Sequence, residues 1–132
     1  MRPGNGKTAV AKMLAKANSK LAAAKIDFEN KLYDDSVSRA YYAVFHCLGA
    51  MLLSRGMHFS SHSETIGAFN KNFVKTGDVP AEFTKMIKKL FDGRQTGDYD
   101  FDISLSKEEA KEGIIATEKI ITTCEEYLKK LV

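Results

Sequence analysis

Apolar residues recur at alternating steps of four and three along most of this chain, the 3.6-residue period of amphipathic helices, and strand-type alternation is nearly absent. Val10, Leu14, Ala17, Leu21, Ala24 and Phe28 trace the stripe of a first long helix. The segment KLYDD interrupts it, and Asp34 or Asp35 is the expected N-cap of a second helix. That helix, SVSRAYYAVFHCLGAMLLSR, carries Val37, Tyr41, Val44, Leu48 and Met51 at the same spacing. It is apolar or aromatic around most of its circumference, which predicts a central position. Gly56 closes it. Ser61 and Glu64 have capping-box spacing and open a short third helix around Ile66, Phe69 and Phe73. Pro80 suits the first turn of a fourth, AEFTKMIKKLFD. Ser106 and Glu109 repeat the capping box before a long last helix bearing Ala110, Ile114, Thr117, Ile121, Cys124, Leu128 and Leu131. The pattern predicts an all-α, up-and-down bundle of about five helices, three long and two shorter. It occupies residues 9–132 as a single domain behind a flexible N-terminal lead at 1–8.

Composition agrees with that picture. A chain of 132 residues that is 44% hydrophobic has enough apolar surface for a core without disulfides or metals. No run of 18 apolar residues marks a membrane span, and MRPGNGKTAVAKML lacks the apolar stretch and cleavage site of a secretory signal. Cys47 and Cys124 both fall in apolar helical patterns, which fits reduced thiols and a cytoplasmic location. The net charge is only +3, but Arg2, Lys7, Lys12, Lys16, Lys20 and Lys25 all precede the first acid, Asp27. Lys12, Lys16 and Lys20 share one helix face. A solvated outer face is the plainer reading; a track for a phosphate backbone is the other.

Two motifs carry less than they promise. GNGKT at Gly4–Thr8 ends like a phosphate-binding P-loop, but the earlier glycine and the preceding strand are missing. Asp98, Asp100, Asp102, Ser104, Ser106 and Glu109 follow the spacing of a calcium loop, yet Ile103 occupies the position where the sharp turn needs glycine. His46, His58 and His62 show no metal-ligand spacing, so neither metal nor cofactor is expected. His62 reads as a loop residue beside a helix start.

RQTGDYDF, residues 94–101, is the stretch that does not read as plain helix. If the fourth helix runs past Gly93, then Phe83, Ile87, Leu90 and Arg94 lie on one face, with a permanent charge ending an apolar stripe. Such an arginine calls for a carboxylate or phosphate, and Asp98 is one turn away. Two readings follow. In one, Gly97 ends the helix as its C′ residue, Arg94 complements the helix dipole, and Tyr99 and Phe101 plug the bundle end. In the other, the stretch handles phosphate. On the second helix Arg39, Tyr42 and His46 form a separate polar strip, where Asp35 is the nearby partner for Arg39.

SRAYYAVFHCLGAMLLSRG, followed by SSHSETIGAFNKNFVKTG and then GRQTGDYDF, resembles HEPN-domain proteins, in particular the small stand-alone group with a YYA-x-F helix and an R-x-x-x-DY element. The likeness runs from about Ala17 to the C-terminus. It implies a helical bundle that dimerises around a shared cleft, often encoded with a minimal nucleotidyltransferase as a toxin–antitoxin-like pair. It also implies, for many members, metal-independent endoribonuclease activity through an R-x4-6-H motif. Arg94 matches the motif arginine, which contacts the scissile phosphate. Tyr99 stands where the histidine belongs, and Phe101 where some relatives carry a tyrosine that accepts a nucleotidyl group. A tyrosine with a pKa of about 10 is a poor base near neutral pH, although it can stack on a nucleobase or donate a hydrogen bond.

The leading expectation is a homodimer binding nucleotide or RNA, with Arg94 on phosphate, Asp98 holding it, Tyr99 stacking, and Arg39, Tyr42 and His46 supporting the cleft. Whether it is an enzyme stays open; a ribonuclease version would assign catalysis to Arg94 and Tyr99. The alternative is a non-catalytic protein–protein interaction module.

Overall fold

The computed structural model describes residues 3–131. Its helices are α1 (Pro3–Glu29), α2 (Tyr33–Leu53), α3 (His62–Phe69), α4 (Phe83–Tyr99) and α5 (Lys107–Lys129), with a π-helical turn, Asn70–Val74, continuing α3. Three helices are long and two shorter, as the periodicity predicts. α1 runs through residues 3–8, the stretch read as a lead, and GNGKT is therefore helical.

α2 is central and packs against α1, α3, α4 and α5. Its Ala40, Ala43, Val44, Cys47, Leu48, Ala50 and Met51 are fully buried. Small residues on both sides of the first contact, Ala17 and Ala24 of α1 against this helix, let the two backbones approach closely. Ser36 Oγ donates to Ala24 O at 2.8 Å, giving this buried hydroxyl a partner.

The α1–α2 connection is a Schellman turn. Leu32 N–H donates to Asp27 O and Lys31 N–H to Phe28 O, with Lys31 in the left-handed region at φ 63°. The same closure ends α2, where Gly56 occupies that conformation at φ 74° without a side-chain penalty. The Ser106–Glu109 capping box forms in full, and at Ser61 the side-chain half of the pattern forms. Glu109 N–H donates to Ser106 Oγ and the Glu109 carboxylate accepts from Ser106 N–H, while Ser61 Oγ accepts from Glu64 N–H.

Three local expectations fail, at Asp34 and Gly97 because a distant segment claims the residue. Neither Asp34 nor Asp35 caps α2; the N-cap is Leu32, and both acids sit in the first turn. Asp34 Oδ1 instead accepts the Leu105 N–H at 2.8 Å. Pro80 lies ahead of α4 rather than in its first turn, its carbonyl accepting from Phe83 N–H. Gly97 does not end α4, which continues to Tyr99. A β-carbon at Gly97 would lie 3.3 Å from Asp34 Cβ and 3.4 Å from Asp34 Cα. The glycine is there so that α4 can cross close to the start of α2.

Candidate functional site

With α4 unbroken, Phe83, Ile87 and Leu90 are buried on the face that ends in Arg94. The Arg94 side chain is 12% exposed. Its Nη2 donates to Tyr42 Oη at 2.7 Å. The guanidinium carbon lies 5.5, 5.3 and 5.6 Å from the ring centres of Tyr41, Tyr42 and Tyr99, so three π faces surround the charge. Asp98 Oδ2 stands 3.4 Å from Arg94 Nε, close enough to pair charges but without hydrogen-bond geometry. Ser38 Oγ donates to that same carboxylate oxygen at 3.3 Å and ties it to α2. The hydrogen bond to Tyr42, and then its nearby charges, stabilise the charged arginine against the cost of burial.

Arg55 shows what a purely structural arginine looks like in this molecule. It donates to Asn72 O, Asp78 Oδ2 and Tyr127 Oη while lying 4.1 Å over Phe73. Arg94, more enclosed, makes a single hydrogen bond among the described residues, and its buried Nε makes none. A buried charged donor without an acceptor is costly. The Arg94 Nε thus lies buried beside the Asp98 carboxylate with no hydrogen-bond partner among the described residues.

The aromatic surround extends to a residue that local sequence reading leaves in a loop. His62 is the first residue of α3, and its Nδ1 lies 2.7 Å from Tyr41 Oη. Its ring stacks on Phe45 at 4.1 Å between centres and meets Tyr42 edge-on at 5.9 Å. Burial, followed by the Arg94 charge, lowers its pKa below the usual histidine value. Tyr41, 1% exposed, is pushed up to about 12, chiefly by burial, and so keeps its proton. The signal for His62 was present in the sequence. The Ser61–Glu64 cap makes it the first helical residue, and 62, 65, 69 and 73 form one stripe whose last three members are buried.

The other predicted residues disperse. Arg39 turns to α1, where its Nε lies 2.9 Å from Asp27 Oδ2 without hydrogen-bond alignment; it does not pair with Asp35. His46 stays on the α2 strip beside Phe45, its pKa lowered by burial and then by Lys16, Lys20 and His62. Tyr99 and Phe101 do not plug the bundle end: they are 69% and 96% exposed, and Ile103 beyond them is 55% exposed. Gln95, Thr96, Tyr99, Asp100 and Phe101 line an open recess of about 410 Å³, and Arg94 is not among them. Asp100 Oδ1 accepts from Asp102 and Ile103 N–H, folding the acidic stretch into a turn. Among the described residues no three His, Cys, Asp or Glu side chains are placed to hold a metal ion. No helix among them is long and apolar enough to cross a membrane.

A family model described as the HEPN domain matches residues 10–127. The chain belongs to the HEPN domain family. A UPF0332 protein of Thermotoga maritima is 37% identical over 108 residues, covering 82% of either chain. A Methanocaldococcus jannaschii protein named "Putative toxin MJ0605" is 37% identical over 115 residues, 87% of this chain and 85% of its own. Among solved structures, TT1696 from Thermus thermophilus superposes with a TM-score of 0.76 at 22% identity, covering 89% of this chain and 97% of that one. At that identity the likeness concerns the HEPN fold, an all-helical bundle, and nothing finer.

Proposed function

We propose that this HEPN protein is toxin-like and binds the phosphate of RNA or a nucleotide at Arg94, as a homodimer and with a minimal nucleotidyltransferase as partner. The observation that carries the reading is the guanidinium itself: enclosed by three tyrosine rings, with one neutral hydrogen-bond partner and an Nε that pairs its charge with Asp98 at 3.4 Å but makes no hydrogen bond. Planar donor pairs of this kind match the oxygens of a phosphodiester. Exposed Tyr99 offers a base-stacking face next to the charge. Relatives named as toxins support the toxin-like role.

The exposed run Tyr99–Phe101–Ile103 supports the homodimer, because a second copy seated there would cover apolar side chains and bring a second Arg94 element close. The same exposure favours a second reading, in which the segment is only a protein-docking surface.

Fluorescence anisotropy with a single-stranded RNA oligonucleotide in chelator, comparing wild type with Arg94→Ala, tests the proposal. Binding should weaken on the order of 10-fold or more, and its salt dependence should become shallower by about 0.7 in slope for each phosphate that the protein no longer neutralises. Equal binding by the two proteins, or none by either, leaves the docking surface as the better account. Sedimentation of wild type against Phe101→Asp then asks whether that surface joins two copies.

A further inference from the structure

We infer that the Lys12–Lys16–Lys20 flank of α1 carries the phosphates of a single-stranded RNA that continues from Arg94 across His62 and His46, so that the ligand is a polynucleotide rather than a mononucleotide. This rests on the phosphate-binding reading of Arg94 and goes beyond it by fixing the class of ligand and the path it takes over the protein.

The two flanks of α1 differ in how their charge is met. Both border the buried line of Ala17, Leu21 and Ala24. On the α5 side Lys25 Nζ pairs with Glu118 at 3.1 Å, and Asn18 Nδ2 donates to Glu125 at 3.3 Å. On the other side Lys12, Lys16 and Lys20 form no ion pair among the described residues. Lysines on the later helices do find carboxylates: Lys88 with Asp92, Lys89 with Glu112 and Lys119 with Glu82. Four residues of helix advance about 6 Å, so the three ammoniums recur at even intervals over about 12 Å of the surface. A repeat of unopposed cations is the footprint of a polyanion, not of a single phosphate.

Helix register places this flank beside α2. Met13 of α1 and His46 and Gly49 of α2 line one niche, and a β-carbon at Gly49 would fall 2.5 Å from Met13 Cε. Gly49 thus lets α1 settle with Lys16 and Lys20 next to His46. Burial, then Lys16, Lys20 and His62, lower the His46 pKa, so lysines and imidazoles share one field. From His46 a run of rings leads to the arginine. Ring centres are 6.2 Å apart from His46 to Phe45, 4.1 Å from Phe45 to His62 and 5.9 Å from His62 to Tyr42. Tyr42 then lies 5.3 Å from the Arg94 guanidinium. Tyr42, Phe45, His46 and His62 are all partly exposed. Cations bordering partly exposed rings suit a single strand, whose backbone follows the charges while its bases meet the rings.

The test measures binding by the full chain, in chelator, of a labelled RNA strand of about 16 nucleotides and of a trinucleotide. Wild type and Arg94→Ala are compared with the triple variant Lys12→Gln/Lys16→Gln/Lys20→Gln. A second triple variant, Lys111→Gln/Lys129→Gln/Lys130→Gln, removes the same charge from exposed positions on and after α5. Glutamine keeps good helix propensity, and Lys12→Gln/Lys16→Gln serves if the first triple variant does not fold by circular dichroism. Wild type should bind the long strand on the order of 10-fold or more tighter than the trinucleotide. The α1 variant should lose that advantage and bind the trinucleotide as wild type does. Its salt dependence on the long strand should become shallower by about 2 in slope, at about 0.7 for each of three phosphates. The α5 variant should keep both. A folded α1 variant that binds the long strand as wild type does, or an α5 variant that weakens as much, overturns the track while leaving phosphate binding at Arg94 intact. Polyglutamate of matched length that displaces the strand as well as unlabelled RNA does overturns RNA as the occupant. Binding of both RNAs indifferent to Arg94→Ala, or no binding by wild type, removes the phosphate site and the continuous path with it.

Discussion

Asp34 joins the first turn of α2 to the segment that follows the candidate site, and its replacement should separate two roles. Its Oδ1 accepts the Leu105 N–H at 2.8 Å, and Leu105 is 7% exposed in a small cluster with Val37 and Ala110. Asp34→Ala removes a charged acceptor, a loss of about 1.5–3 kcal/mol, and a favourable dipole contact of about 0.3–1 kcal/mol. The better helix propensity of alanine returns about 0.5 kcal/mol. The net cost is about 2 kcal/mol. Asp34→Asn keeps an acceptor and loses only the charge, for about 1 kcal/mol. In urea, with a slope of about 2 kcal/mol/M, the midpoint should fall by about 1 M for alanine and about half that for asparagine. Amide exchange at Leu105 should accelerate in the alanine variant more than in the asparagine variant. Equal midpoints for the two variants, or an unchanged Leu105 amide, would refute the account, because the hydrogen bond would then be contributing nothing beyond charge.

Two further outcomes follow from other sites. Both His46 and His62 have pKa values lowered in the fold, so the unfolded chain binds more protons than the folded one from about pH 6.5 down to the lowered values. Stability should therefore be fully present above about pH 6.5 and decline as the pH falls, and Tm measured from pH 7.5 to 5.5 should show that slope in wild type and lose most of it in the double His46→Asn/His62→Asn variant. Cys47 and Cys124 are both fully buried, and the contact with Cys124, followed by burial, pushes the Cys47 thiol well up. A disulfide reagent should leave both unmodified in native buffer and titrate both at the urea midpoint; rapid native labelling would contradict the packing described.

How much of this molecule is legible in its sequence depends on the range of the interaction concerned. The stripes of α1, α2 and α5, the Ser106–Glu109 capping box and the left-handed Gly56 are properties of neighbours within a turn or two, so the helices and the central place of α2 could be read directly. The Arg94–Asp98 pairing belongs to the same class, being one turn apart on a helix.

Other assignments depended on packing between helices. Asp34 resembles an N-cap, but its hydrogen-bond partner is 71 residues away. Arg39 finds Asp27 on α1 because α1 and α2 fold back on each other, not Asp35 one turn before it. Gly97 resembles a helix stop, yet its missing side chain serves the α4–α2 crossing. Tyr99 and Phe101 look like core aromatics, and only the direction in which α4 exits leaves them facing outward. His62 is the clearest case. Its cap and its helix face follow from local pattern, but its meeting with Tyr41, Tyr42 and Arg94 requires α3 and α4 to lie on the same side of α2. Periodicity and capping chose the helices; the angles at which they pack chose which charged and aromatic side chains share a site.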